Sequence, residues 1–327
     1  MSELVSDDVT RVGGERLRTF ALEVAGRIGL ADDHARAVAD ALAACDMRGL
    51  PSHGTRLLGR YVREVLDGRL NPRPGVAVAD EGPTHVTVDG DGGLGYFPAY
   101  EATRRVIDKA RDQGMAAAVT RNHGHIGAAG LYTRLTLEHD LLTFMTSGVR
   151  LRLEPGQSVV KAAGASPMSF TAPTLEEPAV VLDVGVTHNI QGKAPEQAEL
   201  VRVAPRLVLR ALGFGAICQA WGGLLTGLSF GEEPAWSAAN QGAMMFALRI
   251  DLFCDVDRFK REMDEYVRQT RRMQPLDGTA GAYLPGGVEA DNERRYAADG
   301  VPLGPGHRRV LEEVGGELGV APPWAGA

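Results

Sequence analysis

The sequence predicts an α/β fold that begins with a helical lobe, and two observations carry the prediction. Before residue 70, apolar residues recur at helical spacing in three successive stretches closed by glycine or proline. From residue 85 to 273, short apolar runs of strand length alternate with helical stretches. A chain of 327 residues has room for one to three lobes.

Leu17, Phe20, Val24 and Ile28 line one face of a helix from Glu15 that stops at Gly29. Asp32 or Asp33 caps a second, whose stripe is Ala35, Val38, Ala39 and Leu42. A third starts near Ser52 and carries Leu57, Leu58, Tyr61, Val62 and Val65 to a stop at Gly68. Leu70–Pro83, rich in Pro and Gly, is a connector. His85–Val88 alternates like a strand, Ala99–Gln113 is a helix, Met115–Thr120 is a buried strand and Gly127–Leu141 is helical. Leu142–Thr146 is a further short strand. Glu154–Pro173, punctuated by Pro155, Gly156, Gly164, Pro167 and Pro173, reads as a long ligand loop. Ala179–Val184 is a buried strand, and Pro205–Leu228 is a core helix, its arginines and glycines arguing against a membrane span. Ala243–Ile250 is a strand, Asp257–Met273 a charged amphipathic helix, Tyr283–Gly287 a turn and His307–Leu318 a final helix.

With 44% hydrophobic and 24% charged residues, the composition is that of an ordinary soluble globular protein. A net charge of −7 argues against nucleic acid or an anionic membrane as the main partner. The opening MSELVSDDVTR lacks the basic and apolar regions of a signal peptide, so the expected location is the cytoplasm. Cys45, Cys218 and Cys254 lie far apart without a CxxC and read as reduced thiols.

Chemistry concentrates in Arg121-Asn122-His123-Gly124-His125-Ile126-Gly127, between a strand and a helix. Free backbone N–H groups and the positive helix end gather there, ready for an anionic group, and an imidazole beside them exchanges protons near neutral pH. A purely structural loop histidine would look the same in sequence. Gly49-Leu50-Pro51-Ser52-His53-Gly54 places Ser52 and His53 at a helix start, although capping alone explains the serine. Gly90-Asp91-Gly92-Gly93-Leu94-Gly95 matches G-x-G-x-x-G, the dinucleotide fingerprint. The next strand, however, runs into Arg121-Asn122-His123 where a Rossmann fold presents an acid to a ribose. A tight turn is therefore the preferred account, with Arg121 at a 2′-phosphate as the alternative. Asp183 at a strand end suits a ribose hydroxyl or an amide, or caps the following turn. His123 and His125 are two apart with no further ligands in view, so no metal site is expected.

Taken together, these stretches resemble the malate/L-lactate dehydrogenase type 2 family, which includes sulfolactate, ureidoglycolate and diketogulonate dehydrogenases and cyclic-imine reductases. The resemblance rests on Gly49–Gly54 with Tyr61, Asp89–Gly95, Arg121–Gly127, Pro285-Gly286 with Glu289, and Gly300-Val301-Pro302-Leu303. It implies a non-Rossmann nicotinamide-binding fold, a helical lobe built from both termini and a homodimer. Residues 1–75 joined by helices within 257–327 would form the lobe, and residues 76–256 the α/β cofactor and substrate domain. The implied activity is NAD- or NADP-dependent interconversion of a small 2-oxo and 2-hydroxy acid, or reduction of a cyclic imine, in a specialised biosynthetic pathway. His125 matches the proton donor/acceptor, and His53, the second catalytic candidate, either orients the substrate or shares that role. Ser52, Arg56, Tyr61, Asn122 and His123 fall on the substrate side. Gly164, Ser166, Pro167, Asp183, Gly185, Thr187, Lys193, Arg210, Pro285 and Gly286 fall on the cofactor side.

Departures from the family pattern cluster in that second half. The arginine expected four residues after His53 is Leu57, the usual Gly-Thr-Asn-Pro is Gly164-Ala165-Ser166-Pro167, and the usual Lys-Gly-Tyr-Gly is Arg210-Ala211-Leu212-Gly213. A long segment beyond Lys193 is missing, and Gly287 stands where an acid follows Pro-Gly. The alternative expectation is thus a redox-inactive member that moves protons without nicotinamide, as an isomerase, cyclase, lyase or decarboxylase.

Overall fold

The structure, a computed structural model, describes residues 8–187, 195–230 and 233–325. Two compact units emerge, Met1–Pro74 with Gly287–Ala327, and Gly75–Gly286. In chain order the first unit contains β1 (Thr10–Val12), α1 (Gly14–Arg27), α2 (Asp32–Met47) and α3 (Leu58–Leu66). The second runs through β2 (Ala77–Glu81), β3 (His85–Asp89), α4 (Tyr96–Gln113), β4 (Met115–His123), α5 (Gly130–Leu135) and β5 (Leu141–Val149). It continues with β6 (Pro167–Ala172), β7 (Val180–Gly185), α6 (Pro195–Val203), α7 (Pro205–Gly222), β8 (Gln241–Arg249) and α8 (Val256–Arg271). The chain then returns to the first unit with α9 (Gly287–Asp299), β9 (Val301–Leu303) and α10 (Pro305–Leu318).

In the first unit, the stripes read from periodicity are the buried ones: Leu17, Phe20 and Val24 on α1, Val38 and Leu42 on α2. Leu311 and Val314 of α10 are buried too, and β1 pairs antiparallel with β9, Thr10 opposite Leu303. Both chain ends therefore build this unit. One boundary needs correction, because α8 belongs to the second unit instead of joining the helical lobe. Its Asp264, 1% exposed, accepts backbone N–H groups of Leu175, Glu176 and Glu177 at 3.0–3.1 Å and pins the β6–β7 turn. Burial alone would raise that carboxyl, but the N–H bonds outweigh it and hold it below the usual range. Amphipathic spacing shows that a helix has a buried side and leaves the partner undetermined.

The second unit is built on a seven-stranded sheet of order β2-β3-β4-β8-β5-β6-β7. Its β3–β4 neighbours are parallel, and the other pairs are antiparallel. A doubly wound dinucleotide fold needs a run of parallel strands, so the G-x-G-x-x-G between β3 and α4 has another purpose. Alternation along β5 assigns the two faces. Met145 lies with Ala99, Ala102 and Thr103 of α4, whereas Phe144 packs with Met168 and with Cys218 of α7. Phe144 also meets Phe170, Phe246 and, edge-on, Trp221.

Three readings change. The expected ligand loop over 154–173 contains β6, whose Met168 and Phe170 pair with β5 while prolines mark its borders. The helix expected over 127–141 shrinks to Gly130–Leu135, since Gly127 sits at φ +72° and the chain stays irregular before it. Finally, Pro205–Thr226 is by length and composition apolar enough to cross a membrane, with only 33% of its best window buried. Even so, Val208, Gly215, Cys218, Gln219 and Gly222 are buried, and the Gln219 side chain bonds both backbone groups of Val149 at the end of β5.

Candidate active site

The sequence-predicted stretch 121–127 closes β4 and is clasped by the glycine turn. Gly90 N–H donates to the Arg121 carbonyl, Gly92 to Asn122, Gly95 to His125, and Gly124 N–H donates back to Gly93, at 2.8–3.0 Å. A Cβ on Gly95 would lie 2.5 Å from the Gly124 carbonyl and 2.7 Å from the His123 ring. The fingerprint spacing thus serves close backbone approach between two loops, in keeping with the tight-turn account. His125 is half-buried, and its Nδ1 faces the Gly127 N–H at 3.4 Å. Tyr132 OH donates to the Ile126 carbonyl and fixes the far side of the loop.

His123 is corrected from substrate contact to scaffold. It is 0% exposed, its Nδ1–H reaches the Gly124 carbonyl at 2.7 Å, and its Nε2 takes the Thr120 hydroxyl at 2.8 Å. Burial, against smaller opposing effects of Gly124 and Asp89, brings it down to about 4, so the ring is neutral and fully employed. Asn122 stands at φ +53° with its amide on Asp89 at 2.9 Å, and it lines an open cavity with Arg121. Asp89 also receives Arg121 Nε and the Asp91 N–H, both at 3.0 Å.

In the first unit, Ser52 Oγ and His53 Nδ1 are 3.0 Å apart on a turn after α2. Arg56 is exposed. Tyr61, expected to touch substrate, is 1% exposed on α3, so a ligand would reach it only by displacing its neighbours. Beneath the turn lies a polar chain that the sequence reading missed. Asp46 Oδ2 accepts Thr55 N–H at 2.9 Å and Thr55 Oγ1–H at 2.6 Å, and Thr55 Oγ1 lies 2.9 Å from His307 Nε2 on α10. Asp46 Oδ1 occupies the space of a side chain on Gly54, where a Cβ would be 1.7 Å away. Burial raises Asp46 to about 7 despite the two Thr55 bonds. Burial, helped by the Arg56 charge, lowers His307 to about 4.

Most of the expected cofactor residues meet along β6 and β7. Gly164 O accepts the Thr187 hydroxyl at 3.1 Å, Ser166 O accepts Val186 N–H at 3.2 Å, and Pro167 stands opposite Gly185. Pro285 O accepts Val181 N–H at 2.9 Å, which sets Gly286 against β7. Asp183 is exposed and receives the Gly130 N–H at 2.9 Å, so it caps α5 from a neighbouring strand instead of its own next turn. Ser166 and Thr187 are buried and spend their hydroxyls internally, Ser166 on the Ala163 carbonyl. They shape the edge without facing a ligand, which corrects their expected role. Arg210 is exposed on α7. Lys193 lies outside the described residues.

A family model described as Malate/L-lactate dehydrogenase matches residues 12–206 and 208–312. A malate dehydrogenase from Pyrococcus abyssi is 27% identical over 347 aligned residues, covering 95% of this chain and 94% of that protein. One from Pyrococcus horikoshii is 33% identical over 174 residues, a match spanning 53% of this chain and 48% of that protein. The solved structure of the malate dehydrogenase from Pyrococcus horikoshii OT3 superposes with a TM-score of 0.85 over 97% of this chain and 98% of that one. Identity there is 23%, and the likeness is one of fold.

Proposed function

Because the chain belongs to the malate/L-lactate dehydrogenase family, we propose that it is an NAD- or NADP-dependent oxidoreductase acting on a small 2-oxo or 2-hydroxy acid or a related cyclic imine. The observation that carries the reading is His125, held at the end of β4 with Nδ1 turned to the Gly127 amide. Nicotinamide, when bound, would supply or take the hydride. Hydride addition to a carbonyl builds negative charge on oxygen, and the His125 imidazolium gives that oxygen a proton and becomes neutral; in the reverse direction the neutral ring takes the proton back. His53 and Ser52 orient the substrate. The residues present suit a nucleotide at the edge of β7, where the exposed carboxylate of Asp183 stands two residues from the exposed Gly185.

The test is a fluorescence titration with NADH and NADPH, followed by turnover with a panel of 2-oxo acids. Saturable binding of one nucleotide is expected below millimolar concentration. Binding of neither at millimolar levels removes the reading. A second reading, proton transfer without nicotinamide, is favoured by the inward-turned hydroxyls of Ser166 and Thr187. Turnover that requires added nicotinamide would exclude it.

We also infer a cytoplasmic homodimer joined through the outer face of α7. Leu207, Phe214, Ile217, Trp221 and Leu225 form a stripe along α7 and its extension, each 41–60% exposed. Phe170, 45% exposed, extends the stripe onto the sheet through Phe144. Together these side chains present roughly 700 Å² of accessible area, close to the ~800 Å² that one partner contributes to a standard interface. A helix apolar on both faces calls for a cover on both. Sedimentation velocity should give a dimer for the wild type and a monomer for Phe214→Glu combined with Ile217→Glu. A monomeric wild type at micromolar concentration would refute the inference.

A further inference from the structure

Where the second unit's strands β4 and β5 end and β8 begins, Arg121, Asn122, Arg150 and Asn240 line a cavity of about 130 Å³. Leu228, Pro234 and Ala239 supply apolar wall. Arg150 follows Val149, the last residue of β5, and its N–H donates to the Asn240 carbonyl at 2.8 Å, which fixes its backbone to the strand that begins next to it. Its side chain is only 11% exposed, and its Nε is fully buried without a hydrogen-bond partner among the described residues. The nearest carboxylate is Glu233, 3.6 Å from Nη1, and Arg152 already binds the other oxygen of that carboxylate. Arg121 gives its Nε to Asp89 at 3.0 Å, a bond that does not use its terminal nitrogens.

Arg150 thus lines the cavity with a guanidinium whose charge meets Glu233 only at 3.6 Å, which leaves it able to take a closer anion. Among these groups three guanidinium charges face two carboxylates, which leaves the cavity positive. Two cations and two amides converge on a volume suited to a few heavy atoms, while the apolar wall favours a ligand that carries carbon over a bare inorganic anion.

We propose that this cavity receives the carboxylate of a small organic acid, with Arg150 as its anchoring cation. The inference rests on the acid-substrate reading above and deepens it. The end of β5 supplies the guanidinium, next to the start of β8. Asn122, on the same rim, is three residues from His125, so an acid held here is tethered to the loop that carries the proton donor.

The experiment is calorimetry on the full chain without nucleotide, using malonate and, separately, inorganic phosphate as probes. Wild type should bind malonate more tightly than phosphate. Arg150→Gln should weaken malonate at least about tenfold, the loss of one charge-assisted contact. Arg152→Gln, which changes a side chain 76% exposed, should stay within about twofold. Arg121→Gln, an exposed position that tolerates substitution, should weaken malonate about threefold or more and keeps the test open should Arg150→Gln fold poorly. No malonate binding by wild type, equal malonate binding by Arg150→Gln and Arg152→Gln, or tighter binding of phosphate than malonate would overturn the proposal. Because no nucleotide is present, failure here leaves nicotinamide-dependent turnover untouched, and malonate binding in a protein without turnover would leave this site standing alone.

Discussion

Replacing His125 by Ala is expected to lower turnover by about 10²–10⁴, with the fold intact. The size follows from the step at stake. Hydride transfer leaves an alkoxide unless a proton arrives with it, and in the 121–127 stretch His125 is the half-buried imidazole, whereas His123 is fully buried with both nitrogens engaged. The fold should survive because the loop is held by its backbone: Gly95 N–H on the His125 carbonyl, Gly124 N–H on Gly93, and Tyr132 on the Ile126 carbonyl. None of these bonds uses the imidazole. The loss should fall on kcat with little change in KM, whereas His53→Ala should raise KM at least as much as it lowers kcat if that ring only orients. Steady-state kinetics of both variants with the same acid decide the matter. A loss below about fivefold for His125→Ala, or equal small losses for both, would make the two rings structural.

The parts of this protein legible in the sequence are those whose reason is local. Helix stripes and the glycine turn depend on neighbours within a few residues, and the structure places them as read; the His125 loop closes β4 as read, but its helix starts only at Gly130. Missed features depend on partners far along the chain. Strand β6 carries prolines at its borders and is a strand only because β5 and β7 flank it. Helix α8 shows its amphipathic spacing in sequence, but its partner turn at Leu175–Glu177 lies almost ninety residues away. Thr55 and His307, bonded in the first unit, are 252 positions apart. Arg150 carries no mark in sequence, and only its burial beside the cavity distinguishes it. One signal was available in sequence: an acid, Asp46, between the apolar run Ala41–Cys45 and Met47, where a charge has to be paired or protonated.

Asp46 also gives the largest expected effect on stability, and its sign depends on pH. The folded protein raises this carboxyl from 3.8 to about 7 through burial. A raised acid binds its proton more tightly folded than unfolded, so its contribution to stability is complete below pH 3.8 and is lost as pH rises towards 7. Over that range the loss amounts to roughly 4 kcal/mol, and about 3 kcal/mol of it falls between pH 5 and 8. Asp46→Asn keeps an oxygen for Thr55 and cannot ionise. Its stability relative to wild type should therefore climb by roughly 3 kcal/mol between pH 5 and pH 8 in urea denaturation. Two charged or titrating groups face this cluster from neighbouring elements, His307 on α10 and Arg56 after the Ser52–His53 turn, and both are present in wild type and variant, so their contributions cancel in the difference. Asp46→Ala behaves otherwise. It leaves the buried Thr55 N–H without its acceptor, which costs about 1–3 kcal/mol beyond any cavity, and the cost should be larger at pH 5 than at pH 8, because wild type keeps more of its advantage at the lower pH. Because Thr55 adjoins the turn that carries Ser52 and His53, the same variant should raise KM more than it lowers kcat. A wild-type-minus-Asn difference that stays flat from pH 5 to 8 would mean that Asp46 titrates as an ordinary carboxyl, and that this buried chain sets the turn by packing alone.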